Sequence, residues 1–187
     1  VELAESRDST YVYQSSGLGS AWDRFRGGAD AETPEVPTRV ARDVLADLLV
    51  GTTRTPDGFR VNPKIARMLD ARREMSKGEK PLDWSAGEAL AYASLAAEGV
   101  RLRLTGQDSE RGTFSHRHAV LHDAVDGRTW MPLGHLGGGQ APVQILNSPL
   151  SELAVLGFEY GYSLDAPGGL TIWEAQFGDF NNGAQVI

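Results

Sequence analysis

Two short apolar runs, Val143-Gln-Ile-Leu146 and Leu170-Thr-Ile-Trp173, are separated by a stretch that carries the marks of a helix. Ser148 can cap that helix and Pro149 suits its first turn. A strand, a helix and a strand in this order imply a crossover between parallel strands of one sheet. A third run, Val100-Arg-Leu-Arg-Leu104, alternates apolar and basic residues and leads into Thr105-Gly-Gln-Asp108, so it reads as a strand with a polar carboxyl end. The expected fold class is therefore α/β: a mostly parallel sheet with helices on both faces, preceded by a loop-rich and helical extension. Ligands of such sheets bind beyond the carboxyl ends of the strands. That makes the residues after 104, 146 and 173 the first candidates for a site.

The chain divides into a connecting segment, residues 1–80, and an α/β domain, residues 81–187. Residues 1–33 are rich in Ser, Gly, Asp and Arg, with Trp22 and Phe25 as the main apolar anchors, and are expected to be mostly loop. Thr33-Pro-Glu-Val-Pro37 is a connector. Thr38 is expected to cap a helix with Val40, Val44, Leu45, Leu48 and Leu49 at helical spacing. Thr55-Pro-Asp-Gly58 is a turn. A basic amphipathic helix follows from Pro63 to Lys77, with Ile65, Met68 and Leu69 inward and Arg67, Arg72 and Arg73 largely outward. Asp83 or Ser85 caps a further helix through Ala96, whose small-residue face comprises Leu90, Ala93, Leu95 and Ala97, and Gly99 ends it. Helices are expected to fill the gaps between strands.

The formal net charge of −7 argues against non-specific nucleic-acid binding. No apolar run is long enough to cross a membrane, and the polar start Val1-Glu-Leu-Ala-Glu-Ser lacks the pattern of a signal peptide. With no cysteine, disulfides, Cys-ligated zinc and thiol catalysis are excluded. This fits a cytoplasmic protein, or one of the mitochondrial matrix if the source is eukaryotic. The chain opens without Met and stops at Gly183-Ala-Gln-Val-Ile187 in what reads as a helix without a stop signal, so it is expected to be an internal piece of a longer protein.

Three constellations could carry chemistry. Glu152 falls in the first turn of the crossover helix, where a solvated acid would simply complement the helix dipole. Leu150, Leu153, Val155, Leu156 and Phe158 make that helix apolar nearly all round, which predicts burial, and a buried acid needs a partner or a task. In Glu174-Ala-Gln-Phe-Gly-Asp-Phe180, two aromatics three apart suit a core, or a stacking wall for a flat ring. Gly106-Gln-Asp-Ser-Glu-Arg-Gly-Thr-Phe-Ser-His-Arg-His-Ala119 follows no phosphate-loop or dinucleotide spacing. Its His116 and His118, with His122, invite a metal reading in which 118 and 122 share a helical face. No nearby carboxylate completes a convincing set, however, and no metal ligand is assigned.

These three segments closely resemble the decarboxylating, thiamine diphosphate-dependent component of 2-oxoglutarate dehydrogenase complexes. Weaker landmarks are Pro63, Arg73, Asp83-Trp84 and Gly87-Glu88, and the likeness is dense from Arg103 onward. Ala124 departs from the Gln often found after His-Asp in that family. The resemblance implies a pyrimidine-binding domain of the thiamine diphosphate fold. Glu152 would hydrogen-bond the aminopyrimidine ring nitrogen and so activate the cofactor, and Gln107 would face the reacting carbon. Phe180 would stack on the pyrimidine, with Leu150, Gln176 and Phe177 lining the same pocket. Asp108, Arg111 and His116 would order the loop or a subunit interface. Cofactors implied are thiamine diphosphate and Mg2+, the latter with ligands elsewhere in the protein. Partners implied are a second copy, in a homodimer through the cofactor-binding interface, and a lipoyl-bearing dihydrolipoyl succinyltransferase of the tricarboxylic acid cycle. The activity implied is decarboxylation of 2-oxoglutarate with succinyl transfer. The alternatives are a multifunctional 2-oxoglutarate decarboxylase/carboligase of the same family, or a non-catalytic assembly module.

Overall fold

The computed structural model describes residues 19–187, and the polar start of the chain lies outside them. The chain divides into two units, Val1–Thr33 and Pro34–Ile187. In the first, the described residues form two single helical turns, Ser20–Trp22 and Asp30–Glu32, with the Trp22 and Phe25 rings 5.6 Å apart. The other described residues of this unit are irregular.

The second unit is built on three parallel strands: β1 (Leu102–Gly106), β4 (Val143–Asn147) and β5 (Leu170–Glu174). Their order is β4-β1-β5, so β1 is central. Leu102 and Leu104 point to one face and are fully buried. They meet α3 (Trp84–Ala97), whose Ala93 and Ala96 have no exposed surface. Small side chains let this helix approach the sheet closely, and each buried leucine contributes about 1.5–3 kcal/mol. The opposite face carries Arg103 and Thr105 and is covered by α4 (Glu152–Asp165). Helices thus lie on both faces of a parallel sheet, as the fold class requires.

Behind α3 lie α1 (Arg42–Gly51) and α2 (Pro63–Lys77), joined to it around Leu49, Ala86 and Leu90. The bounds of α2 are those the sequence predicts: Asn62 caps it through Lys64 N, Pro63 opens it and the left-handed Gly78 closes it. Asp83, rather than Ser85, caps α3, accepting from Ala86 N at 2.7 Å. The Pro56–Phe59 turn is present, with Gly58 at φ 71°.

Several expectations are corrected. Thr38 does not cap α1, which begins at Arg42 after an extended Ala41 with no side-chain cap; Asp43 in its first turn complements the dipole instead. In α3, Ala86, Ala89, Leu90, Ala93 and Ala96 form the buried face; Leu95 is only half-buried because it lies around the helix from that stripe, whereas Ala97 falls in the stripe but is the last residue of the helix and is exposed. Arg72 does not face solvent: it is 4% exposed and donates to Ser85 Oγ and to the Arg117 carbonyl. No helix fills the gap between β1 and β4. That stretch holds a long irregular loop, a two-stranded hairpin of β2 (Leu121–His122) and β3 (Thr129–Trp130), and the single turn Pro132–Gly134. Asp123 organises the hairpin by accepting from the backbone N–H of Arg60 and Val125, which holds its carboxyl below the usual range. The last residues, after Asn181, form turns rather than a helix.

Candidate functional site at the carboxyl edge of the sheet

The register sets Gly106, Asn147 and Glu174 side by side, so all three strands end level. At Gly106 the backbones close in: a Cβ there would clash with Glu174 O and with Ser109 Oγ, both nearer than van der Waals contact allows. Only glycine permits this approach. The Ser148 N–H donates to the Gly106 carbonyl at 2.7 Å, which ties the start of the β4–α4 connection to the end of β1.

Gln107 follows directly, and its Nε2 donates to Glu152 Oε1 at 3.0 Å. Glu152 is itself the first residue of α4, one position after a Ser151 cap that makes no side-chain bond. The helix therefore starts later than a Ser148 cap predicts. Glu152 nonetheless stays at the positive end of the helix dipole, where a carboxylate is favoured. The chain beyond β5 returns to this carboxylate, since a Cβ on Gly183 would sit 3.5 Å from Glu152 Oε2. That returning segment carries Phe177 and Phe180, which are 87% and 62% exposed. Leu150, just before α4, is also exposed. Gln176 is turned the other way: it is buried and donates to Thr113 Oγ1 at 2.6 Å. Thus Gln107 and Glu152 meet directly, Phe177 and Phe180 are exposed, and Gln176 holds the loop from within.

The expected burial of α4 is not found. Only Val155 and Glu159 are buried, whereas Leu153, Phe158 and Tyr160 are exposed along with Leu150. The helix is apolar nearly all round, but the described residues cover one side of it alone. On the covered side, Glu159 forms a bidentate pair with Arg103, at 2.8 and 2.9 Å, and Phe158 and Tyr162 lie against the guanidinium.

The loop after β1 is irregular throughout. Asp108, Ser115 and His118 have positive φ, as does Phe177 after β5, and these are the non-glycine examples among the described residues. Such conformations cost energy and persist where tertiary contacts enforce them, often at functional sites. Arg111 bridges Asp108 and Ser115, ordering the loop. His116 covers Gly112, while its carbonyl accepts from Ser85 Oγ. His118 and His122 share no helical face, because the first lies in this loop and the second in β2. Burial, with Arg111 and Arg72 nearby, holds the His118 imidazole below its usual pKa. Among the described residues, no group of three or more His, Asp or Glu could hold a metal ion.

The sequence reading missed one cluster. Arg117 is 6% exposed and reaches Glu88 on α3, Glu174 at the end of β5 and the Ser109 carbonyl. The motif around it offered no spacing signal, since its partners stand 29 and 57 residues away. A cavity of about 920 Å³ lies apart from the Gln107–Glu152 pair, between the starts of α2 and α3, with Lys64, Trp84 and His118 in its wall.

The donor set at the strand ends has a definite chemical character. A carboxylate with one oxygen oriented by an amide can accept a hydrogen bond from an N–H through its other oxygen. Comparison with known proteins points the same way. The family described as "Transketolase, pyrimidine binding domain" matches residues 80–187. The "2-oxoglutarate dehydrogenase E1 component" of Rickettsia conorii is 48% identical over 178 residues, which is 95% of this chain and 19% of that protein. The protein of the same name from Geobacillus kaustophilus is 50% identical over 154 residues, 82% of this chain and 16% of its own length. "2-oxoglutarate dehydrogenase, mitochondrial" of Caenorhabditis elegans is 47% identical over 180 residues, 95% of this chain and 17% of its own. The chain therefore spans about a fifth of the length of the curated relatives it matches. With more than half its residues matched by the family and a level-ended parallel sheet to carry them, the chain belongs to the transketolase pyrimidine-binding domain family.

Proposed function

We propose that residues 81–187 are the pyrimidine-binding domain of a thiamine diphosphate-dependent 2-oxoglutarate dehydrogenase, and that residues 1–80 connect it to the rest of that subunit. The observation that carries the reading is the Gln107–Glu152 hydrogen bond, which orients a carboxylate at the carboxyl edge of the sheet, while the segment that returns to it through Gly183 carries the exposed Phe177 and Phe180. Similarity to the relatives above supports the choice of 2-oxoglutarate.

Glu152 would hold the ring N–H of the aminopyrimidine, with Phe180 stacked on the ring and Phe177 and Leu150 at its edge. When bound, thiamine diphosphate would supply a carbon nucleophile for the 2-oxo carbonyl and a cationic ring that takes up the electron pair released by decarboxylation. The protein's own contribution is positional. Glu152 holds a proton at the ring nitrogen, and Gln107 keeps the carboxylate in one rotamer and presents an amide to the reacting centre. The exposed face of α4 would be covered by a second copy, making the site a shared one that excludes water. The diphosphate, Mg2+ and the distal substrate carboxylate would be held by other parts of the subunit. The succinyl group would pass to a lipoyl arm of a dihydrolipoyl succinyltransferase, in the bacterial cytoplasm or the mitochondrial matrix. Among the described residues, no helix is long and apolar enough to cross a membrane.

The test is ferricyanide reduction driven by 2-oxo acids, using the intact parent protein with and without thiamine diphosphate and Mg2+. Turnover with 2-oxoglutarate, little with pyruvate, and dependence on the cofactor are expected. Glu152→Ala should lower that turnover about 100- to 10,000-fold, as loss of a proton-transfer group does. Near-normal turnover in this variant refutes the role of Glu152. No cofactor-dependent turnover in the wild type would leave a non-catalytic assembly module as the better account.

A further inference from the structure

The loop from Gln107 to His118 holds three residues in sparsely populated left-handed conformations, so its shape has to be enforced by contacts with other elements. The guanidinium of Arg117 does this. Nε and Nη2 donate to the two carboxylate oxygens of Glu88 at 2.6 and 2.7 Å. Nη1 donates to the Ser109 carbonyl at 2.8 Å and to Glu174 Oε2 at 2.5 Å, and Nη2 also reaches Glu174 Oε1. One planar fork therefore joins α3, the loop two residues beyond Gln107, and the last residue of β5. A lysine, which is a point charge, could not span these partners.

We infer that Arg117 is a positioning residue for the site. By fixing the Ser109 carbonyl and the Glu174 carboxylate to one rigid fork, it holds Gln107 on Glu152. Two further ties close the same frame: the Glu110 N–H donates to Asn147 Oδ1 at the end of β4, and Gln176 donates to Thr113. The inference rests on the functional reading above, because it assigns Arg117 a role only through Gln107.

A double-mutant cycle in the full-length protein tests it, with Arg117→Lys and Glu174→Gln each made in the wild type and in Gln107→Ala. If Arg117 acts through Gln107, Arg117→Lys lowers kcat about tenfold or more in the wild type and less than about twofold once Gln107 is gone, with KM for 2-oxoglutarate changed less. Glu174→Gln keeps shape and an acceptor, so it preserves the fold while weakening one arm of the fork. It should show the same non-additivity, and it decides the matter if the lysine variant does not fold. Equal losses in both backgrounds, or unchanged kcat in both variants, overturn the positioning role alone. A wild type without cofactor-dependent turnover overturns the functional reading and this inference with it.

Discussion

At the scale of single residues, the structure turns on charges placed where water is scarce. Glu159 is 3% exposed, and its partner Arg103 lies under the rings of Phe158 and Tyr162. Taking one member out of such a pair strands the other without compensation. Arg103→Ala is therefore expected to destabilise the protein by about 3–5 kcal/mol, read as a shift in the urea midpoint at unchanged slope. Replacing both partners with apolar residues of similar volume should cost less than the single change, because no buried charge is left behind. Glu152 is the counter-example. It is only half-buried and sits at a helix start, so its replacement should affect turnover far more than stability.

At the scale of elements, the contrast between α3 and α4 is the instructive one. Both read as strongly apolar helices. α3 finds a surface in this chain, and its alanine stripe disappears against β1 and the helices behind it. α4 covers the other face of the sheet with one side and leaves Leu153, Phe158 and Tyr160 in solvent. If a second copy covers that face, Leu153→Ser with Tyr160→Ser should weaken association of the intact protein. Sedimentation velocity over a dilution series would then show dissociation at higher concentration than in the wild type. Unchanged association would place the dimer contact elsewhere. The bounds of α2 were legible because Asn62, Pro63 and Gly78 act locally. The start of α1 was not, since Ala41 carries no capping group and nothing in the local pattern marks it.

The whole molecule adds what neither a residue nor an element has alone. Where α3, the β1 loop and β5 meet, Arg72 and Arg117 lie close to Glu88, Glu174 and Tyr92. Burial above all, and then Glu88, pushes the Tyr92 hydroxyl up to about 12 from an ordinary 10. The folded protein thus keeps a proton that the unfolded chain gives up earlier. Its contribution to stability is complete below about pH 10 and is lost as the pH rises towards about 12. Denaturant melts across that window should show the decline, and Tyr92→Phe should flatten it.

What the sequence determined by itself was everything that rests on local periodicity and on residues with one geometric habit. The alternating run 100–104 and the strand–helix–strand tail fixed a parallel α/β sheet, and a strand end followed by Gln107 pointed to the carboxyl edge. Glu152 was singled out by the family resemblance; the adjacent residues put it in the first turn of a helix but set that helix's start too early. What only the tertiary structure decided was which charged groups leave water and which apolar ones do not. Arg72 and Arg117 look like surface residues until partners tens of positions away surround them. The irregular loop 107–118 owes its shape to those same contacts rather than to its own preferences. The open face of α4 follows from the same cause. Periodicity records that a face is apolar, but burial depends on a surface to meet it, and that surface is a property of the assembled fold.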